Sequence, residues 1–223
     1  MGKNKRKIAF IICVNDDFFF KECTLYINQL VLPIGFVTEI IPIYNPKSIA
    51  AGYNLGMGQT DAKYKVYMHQ DVFIINPHFL VDIMSIFAIN RKIGMIGVVG
   101  TPIMPVSGVQ GHGRRVGNVY SVSPEDCDFN GYQYKKEDGY TEVQAIDGML
   151  MVTKDDVPWR EDLFDGWDFY DSSQSYEFVR RGYKVVVPEQ KKPWCAHEEN
   201  CNSGLWSFDK YRHIFIKEYM ENV

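Results

Sequence analysis

The strongest constraint in this sequence is an alternation. Over residues 8–102, continuous apolar runs rich in β-branched residues take turns with segments of helical spacing. "IAFIICV" at 8–14 is apolar throughout, the pattern of a strand covered on both faces. "FFFKECTLYINQLVLP" follows with helical spacing and stops at Pro33. "FVTEIIPIYN" reads as a second strand, and the small-residue stretch "PKSIAAGYNLGMGQT" as a helix. "YKVYMHQDVFI" reads as one third strand, "PHFLVDIMSIFAIN" as a helix with proline in its first turn, and "IGMIGVVGTP" as a fourth strand. This order predicts an α/β fold with a mostly parallel central sheet flanked by helices. Residues 105–223 read as a more irregular half: Gly- and Tyr-rich hairpins over 108–143, a strand in "VQAIDGMLMVT", a short helix in "DSSQSYEFVRRGY" ending at Gly182, and a strand in "KVVVPE". With no repeat or linker, 1–223 is expected to form a single domain.

Composition narrows the class. Hydrophobic residues make up 46% of the 223, enough for a sizeable core. The net charge of −4 gives no general affinity for nucleic acid. Cys13, Cys23, Cys127, Cys195 and Cys201 are odd in number and lack a C-x-x-C pair, so a reducing, cytoplasmic setting is expected. The apolar run after "MGKNKRK" is too short to span a bilayer, and Asp82 interrupts "FLVDIMSIFAI". No transmembrane segment is expected; peripheral contact at the inner membrane face stays open, as does oligomeric state.

Ligands of open parallel sheets bind beyond the carboxyl ends of the strands. Two such ends are polar here: Asn15-Asp16-Asp17 and His69-Gln70-Asp71. On one strand His69 and Asp71 project to the same side. The pair suits a divalent metal, and equally a polar strand cap in which Asp71 closes a turn and His69 bonds to backbone. His197, with Glu198 and Glu199, follows "KVVVPE" in what reads as an acidic surface loop. Asp165, Asp168 and Asp171 lie among Trp167, Phe169 and Tyr170, where partial burial can tune a general base. Asp171 also stands where a helix N-cap belongs, with Gln174 three residues on.

Taken together, these segments resemble glycosyltransferases of the GT-A fold, family 2 type, and more narrowly bacterial glycosyltransferase-like proteins of polysaccharide biosynthesis. The resemblance covers about Ile8 to His197 and rests on "IICVND", "AAGYNLG", His69-Gln70-Asp71, Tyr170-Asp171 before "SYEFVRRGYKVVVP", and His197. It implies a nucleotide-binding half at 1–104 and an acceptor-binding half at 105–223. It implies that Asn15, Asp16, Asp17, Asn54, His69, Gln70, Asp147 and Gly148 hold the nucleotide sugar. Asp71 and His197 would bind Mn²⁺ or Mg²⁺, and Asp171, or failing it Asp168, would be the catalytic base. His69 stands where the resembled motif has its first Asp, and Tyr170 where it has Glu.

The reaction so implied moves a sugar from a nucleoside-diphosphate sugar to a hydroxyl of a carbohydrate or lipid-linked acceptor, with inversion at the anomeric carbon. Arg114 and Arg115 in "GHGRR" read as phosphate contacts or as a solvated loop. Two alternatives stand beside it. A sugar nucleotidyltransferase would need a glycine-rich, basic loop after the first strand, where this chain has "NDDFFF". A non-catalytic nucleotide-sugar-binding protein would carry substitutions such as those at His69 and Tyr170.

Overall fold

The computed structural model describes residues 2–122, 127–132, 139–198 and 207–221. Glu199, Cys201 and parts of the hairpin region expected over 108–143 lie outside them. The chain order is β1 (Asn4–Val14), α1 (Asp17–Asn28), β2 (Val37–Tyr44), α2 (Ile49–Gly58), β3 (Ala62–His69), β4 (Val72–Ile74), α3 (Phe79–Ile89), β5 (Ile93–Gly97), β6 (Val99–Thr101), β7 (Val116–Val122), β8 (Cys127–Tyr132), β9 (Tyr140–Glu142), β10 (Ala145–Ile146), β11 (Leu150–Thr153), α4 (Tyr170–Arg180), β12 (Lys184–Pro188), β13 (Cys195–Glu198) and α5 (Phe208–Phe215), which continues as a π-helical turn over Ile216–Met220.

The main sheet has the order β2-β1-β3-β11-β5-β12-β9. β2, β1, β3, β5 and β12 run one way, while β11 and β9 run against them. The continuous apolar run of β1 is explained by burial on both faces. Ile8, Phe10, Ile12 and Val14 join the core under α1 and α3, and Ile11 joins the core under α2 and α4. A third apolar cluster packs Phe164 and Phe169 against Tyr211, Phe215 and Tyr219 of the C-terminal helix. Within the apolar pattern of β3, Lys65 is fully buried; its Nζ bonds Asp156 at 2.6 Å and the Ala62 carbonyl at 2.7 Å.

A second sheet, β10-β6-β7-β13-β4 with β8 beside β7, corrects several expectations. "YKVYMHQDVFI" is two strands, not one: the chain turns at Gln70-Asp71 and β4 pairs with β13 in the second sheet. "IGMIGVVGTP" divides likewise at Val98, and "VQAIDGMLMVT" at Asp147–Met149. His197 lies on a strand, β13, and not in a surface loop. Each apolar run was long enough to be one strand, but the main sheet accepts only part of it, and the remainder finds partners elsewhere. Three chain segments therefore cross from one sheet to the other at one seam. Backbone bonds pin it: His69 N to Met149 O at 3.0 Å, Asp147 N to Val99 O at 2.9 Å and Glu198 N to Asp71 O at 3.1 Å.

α1 begins where it does because Asp16 caps it, its carboxylate accepting from Phe18 N at 2.8 Å and Phe19 N at 3.4 Å. Asp16→Ala should cost about 1 kcal/mol of stability, read as a lowered urea midpoint with an unchanged slope. α4 ends as its sequence indicates, with Gly182 at φ +78° and its N–H on the Val179 carbonyl at 2.8 Å. Its start differs from the expected capping box. Phe169, in the left-handed region at φ 61°, is the N-cap residue. Asp171 sits inside the first turn, and Gln174 bonds the Val157 carbonyl at 2.7 Å instead of reaching back.

Candidate active site

The carboxyl ends of β1 and β3, the seam and the segment before α4 enclose a cleft of about 640 Å³. Asn15, His69, Gln70, Asp71, Trp167, Asp168, Tyr170 and His197 line it. Gln70 fixes one wall. Its carbonyl accepts from Asn15 N at 2.9 Å and Asp16 N at 3.0 Å, and its amide bonds Asn15 Oδ1. The two polar strand ends read separately in the sequence are thus tied into one unit.

His69, Asp71 and His197 form the floor. Asp71 Oδ1 lies 3.6 Å from His197 Nε2 and 4.0 Å from His69 Nδ1, and one donor atom from each residue falls within 4.8 Å of the others. Burial opposes ionisation of Asp71, but the two imidazoles outweigh it and hold the carboxyl below its usual range. Burial and the neighbouring His197 lower the pKa of His69, so its ring is neutral at pH 7. Asp71 Oδ1 is buried and has no hydrogen-bond partner among the described residues. Buried carboxylate oxygens are normally satisfied. Two nitrogens and one carboxylate around an unsatisfied oxygen are a donor set that a divalent transition metal fits, since bonds of about 2.1 Å put neighbouring donors roughly 3 to 4 Å apart.

The remaining candidates divide. Asp168 lines the cleft, with Oδ2 accepting from Ser207 Oγ at 3.1 Å. Asp171 is not among the residues that line the cleft. Its Oδ1 accepts from Ser172 N at 2.7 Å, and its Oδ2 from Gly148 N at 3.0 Å and Gln110 Nε2 at 3.3 Å. Burial, reinforced by the nearby Asp147 charge, pushes the Asp171 pKa up to about 7. Asp147 directly follows β10, in the break before β11, and holds Arg115 in a 2.7 Å ion pair. Gly148 must lack a side chain, because a Cβ there would overlap the Tyr170 hydroxyl. Asn54 faces elsewhere: its amide exchanges bonds of 3.0 and 2.9 Å with the Trp159 backbone, pinning α2 to the segment before α4. Asp16 is committed to its cap, and Asp17 is exposed.

Gln110 and the contact made by Tyr170 were not legible in the sequence. Gln110 links the Ile146 carbonyl, Asp171 and Ser172, yet its Gly-rich segment gives no periodicity to reveal it. Tyr170 bonds His69 Nε2 at 2.5 Å, a contact across 101 residues that no local pattern encodes.

Solved structures share this architecture. TarS 1-349 of S. aureus, in complex with UDP, matches 95% of this chain and 64% of its own, with a TM-score of 0.56 at 10% identity. TarS 1-349 in complex with UDP-GlcNAc matches 87% of this chain and 59% of its own, with a TM-score of 0.54 at 10% identity. A mannosyltransferase of Pyrobaculum calidifontis, in complex with GDP-Man and Mn²⁺, matches 93% and 60%, with a TM-score of 0.55 at 11% identity. The chain spans less than two thirds of each. A search among curated protein sequences returned no match. The paired sheets and flanking helices give the chain a GT-A-type fold. The profile of the glycosyltransferase-like family matches residues 9–219, and the chain belongs to that family.

Proposed function

We propose that this chain transfers a sugar from a nucleoside-diphosphate sugar to a hydroxyl of a carbohydrate or lipid-linked acceptor, with inversion and with help from a divalent metal. The observation that carries this reading is the His69–Asp71–His197 floor, with its unsatisfied buried oxygen, at the end of β3 in the cleft. The nucleotide complexes of the similar folds, with UDP, UDP-GlcNAc and GDP-Man with Mn²⁺, supply its chemical class.

Asp71 and His197 would hold the metal, Mn²⁺ or Mg²⁺. When bound, it supplies positive charge to the departing diphosphate. Asn15, fixed by Gln70, faces the nucleotide from the β1 end. Trp167 is half exposed at the cleft edge and offers an apolar face to a sugar ring. We assign the base that takes the proton from the acceptor hydroxyl to Asp171, whose raised pKa lies near the pH at which it would work; Asp168, which lines the cleft, is the alternative. One displacement with one base inverts the anomeric carbon. Gly148 N keeps the Asp171 carboxylate oriented.

The reading is tested by calorimetric titration with UDP and GDP, with and without Mn²⁺, followed by donor consumption over a panel of sugar acceptors. Metal-strengthened binding of one nucleotide and acceptor-dependent release of it are expected. Binding without turnover on any acceptor would favour a non-catalytic nucleotide-sugar-binding protein, and no nucleotide binding at all would end both readings.

A further inference from the structure

The two positions that depart from the resembled motifs, His69 and Tyr170, touch each other. Tyr170 Oη is 2.5 Å from His69 Nε2. The tyrosine has little freedom. Its ring is buried and lies 6.0 Å from Tyr53 and 6.2 Å from Trp159, centre to centre. Its hydroxyl occupies the space left by the absent Cβ of Gly148. With Nε2 engaged there, His69 turns its other nitrogen, Nδ1, toward Asp71 at 4.0 Å. The His197 ring centre is 5.7 Å from that of His69.

We propose that His69 is a third metal-holding residue, through Nδ1, that Tyr170 is the residue positioning it, and that the resulting two-imidazole, one-carboxylate set makes the site select Mn²⁺ over Mg²⁺. This rests on the metal reading above. A histidine ligand ordinarily donates its second ring N–H to a fixed acceptor, which sets the tautomer and leaves the other nitrogen's lone pair free. With His69 protonated on Nε2, Tyr170 Oη is placed to be that acceptor. Mg²⁺ takes oxygen ligands and sheds water reluctantly, whereas Mn²⁺ accepts imidazole nitrogen readily. A site with one carboxylate and two nitrogens also carries less negative charge than one built from two carboxylates, which removes the main attraction for a hard ion.

The test titrates metal-free protein with Mn²⁺, alone and with UDP or GDP present, and follows the free ion by electron paramagnetic resonance while Mg²⁺ competes. For the unaltered protein, Mn²⁺ should stay bound against about a hundredfold excess of Mg²⁺. His69→Ala should weaken Mn²⁺ at least tenfold, and pulsed measurements of nitrogen coupling should fall from two imidazoles to one. Tyr170→Phe keeps the ring packing and should weaken Mn²⁺ by about 10–100-fold, as loss of an outer partner does. His69→Asp should restore Mg²⁺ as an effective competitor. Circular dichroism and the thermal midpoint establish that each variant is folded; a structural role alone would move the midpoint without changing the metal preference or the nitrogen coupling. Unchanged Mn²⁺ affinity in His69→Ala overturns the ligand role. Unchanged affinity and selectivity in Tyr170→Phe overturn the positioning role. Absence of Mn²⁺ binding by the unaltered protein, with and without nucleotide, overturns the metal reading itself and this inference with it.

Discussion

Asp71→Ala is expected to lower donor turnover by about 10³-fold and to abolish Mn²⁺ binding, while the thermal midpoint moves by only a few degrees. The separation of these effects is what makes the variant informative. Asp71 Oδ1 is buried without a hydrogen-bond partner among the described residues, and the carboxylate's ion-pair contacts are with the two imidazoles of the floor, so its removal takes little from the fold. The Asp71 carbonyl, which accepts from Glu198 N at 3.1 Å and closes the seam, is backbone and survives the substitution. The carboxylate is the one negative charge in the three-residue floor. Without it, two imidazoles remain to hold a dication beside a diphosphate. The measurement is donor hydrolysis and transfer with saturating Mn²⁺, alongside thermal unfolding. Full activity in the variant would remove Asp71 from the metal role, and collapse of the fold would show that the residue acts as a turn closer.

Asp171→Asn is expected to reduce transfer by about 10²–10⁴-fold, the range of a lost general base, whereas Asp168→Asn should leave most of the rate. In the unaltered protein the rate should rise with pH through about 7, because the base works only when deprotonated and burial raises its pKa to about 7. The asparagine variant should lose that inflection. Stability gives an independent sign. A carboxyl raised from 3.8 to about 7 in the folded state binds a proton there that the unfolded chain has released, so the fold loses stability as pH rises across that window. Above about pH 7 the loss is complete and constant. Asp171→Asn removes it, so the variant's stability relative to the parent should climb between pH 4 and 7 and then level off. The opposite kinetic outcome, with Asp168→Asn inactive and Asp171→Asn retaining transfer, would move the base to the residue that lines the cleft beside Ser207.

Much of the main sheet was legible because its signals are local. The run at 8–14 is apolar on every residue since both faces of β1 are covered, and that requirement writes itself into consecutive positions. The helices between strands carry their own spacing and stops. The second sheet was illegible for the converse reason. β4, β6 and β10 have 3, 3 and 2 residues, too short for a period, and each is continuous with a run that looks like one strand. Their separate existence depends on partners far along the chain, such as β13 for β4. Asp171 shows the same limit in a single residue: its spacing to Gln174 fits a capping box, but Phe169 takes the cap and Gly148 and Gln110 take the carboxylate.

By itself, then, the sequence determined that strands and helices alternate around a parallel core, that His69 and Asp71 fall where β3 ends, and that Asp16, Asp71, Asp171 and His197 merit attention. These follow from short-range patterning, which neighbouring side chains enforce. Only the tertiary structure decided what each polar residue does. The turn at Gln70-Asp71 sends the chain into a second sheet, and β13 then brings His197 to 3.6 Å from Asp71. Tyr170 reaches His69 across 101 residues. A buried carboxylate can cap a turn, anchor a helix or hold a metal with the same local sequence around it. The choice is made by which groups from distant segments share its low-dielectric surroundings, and here those groups are two imidazoles.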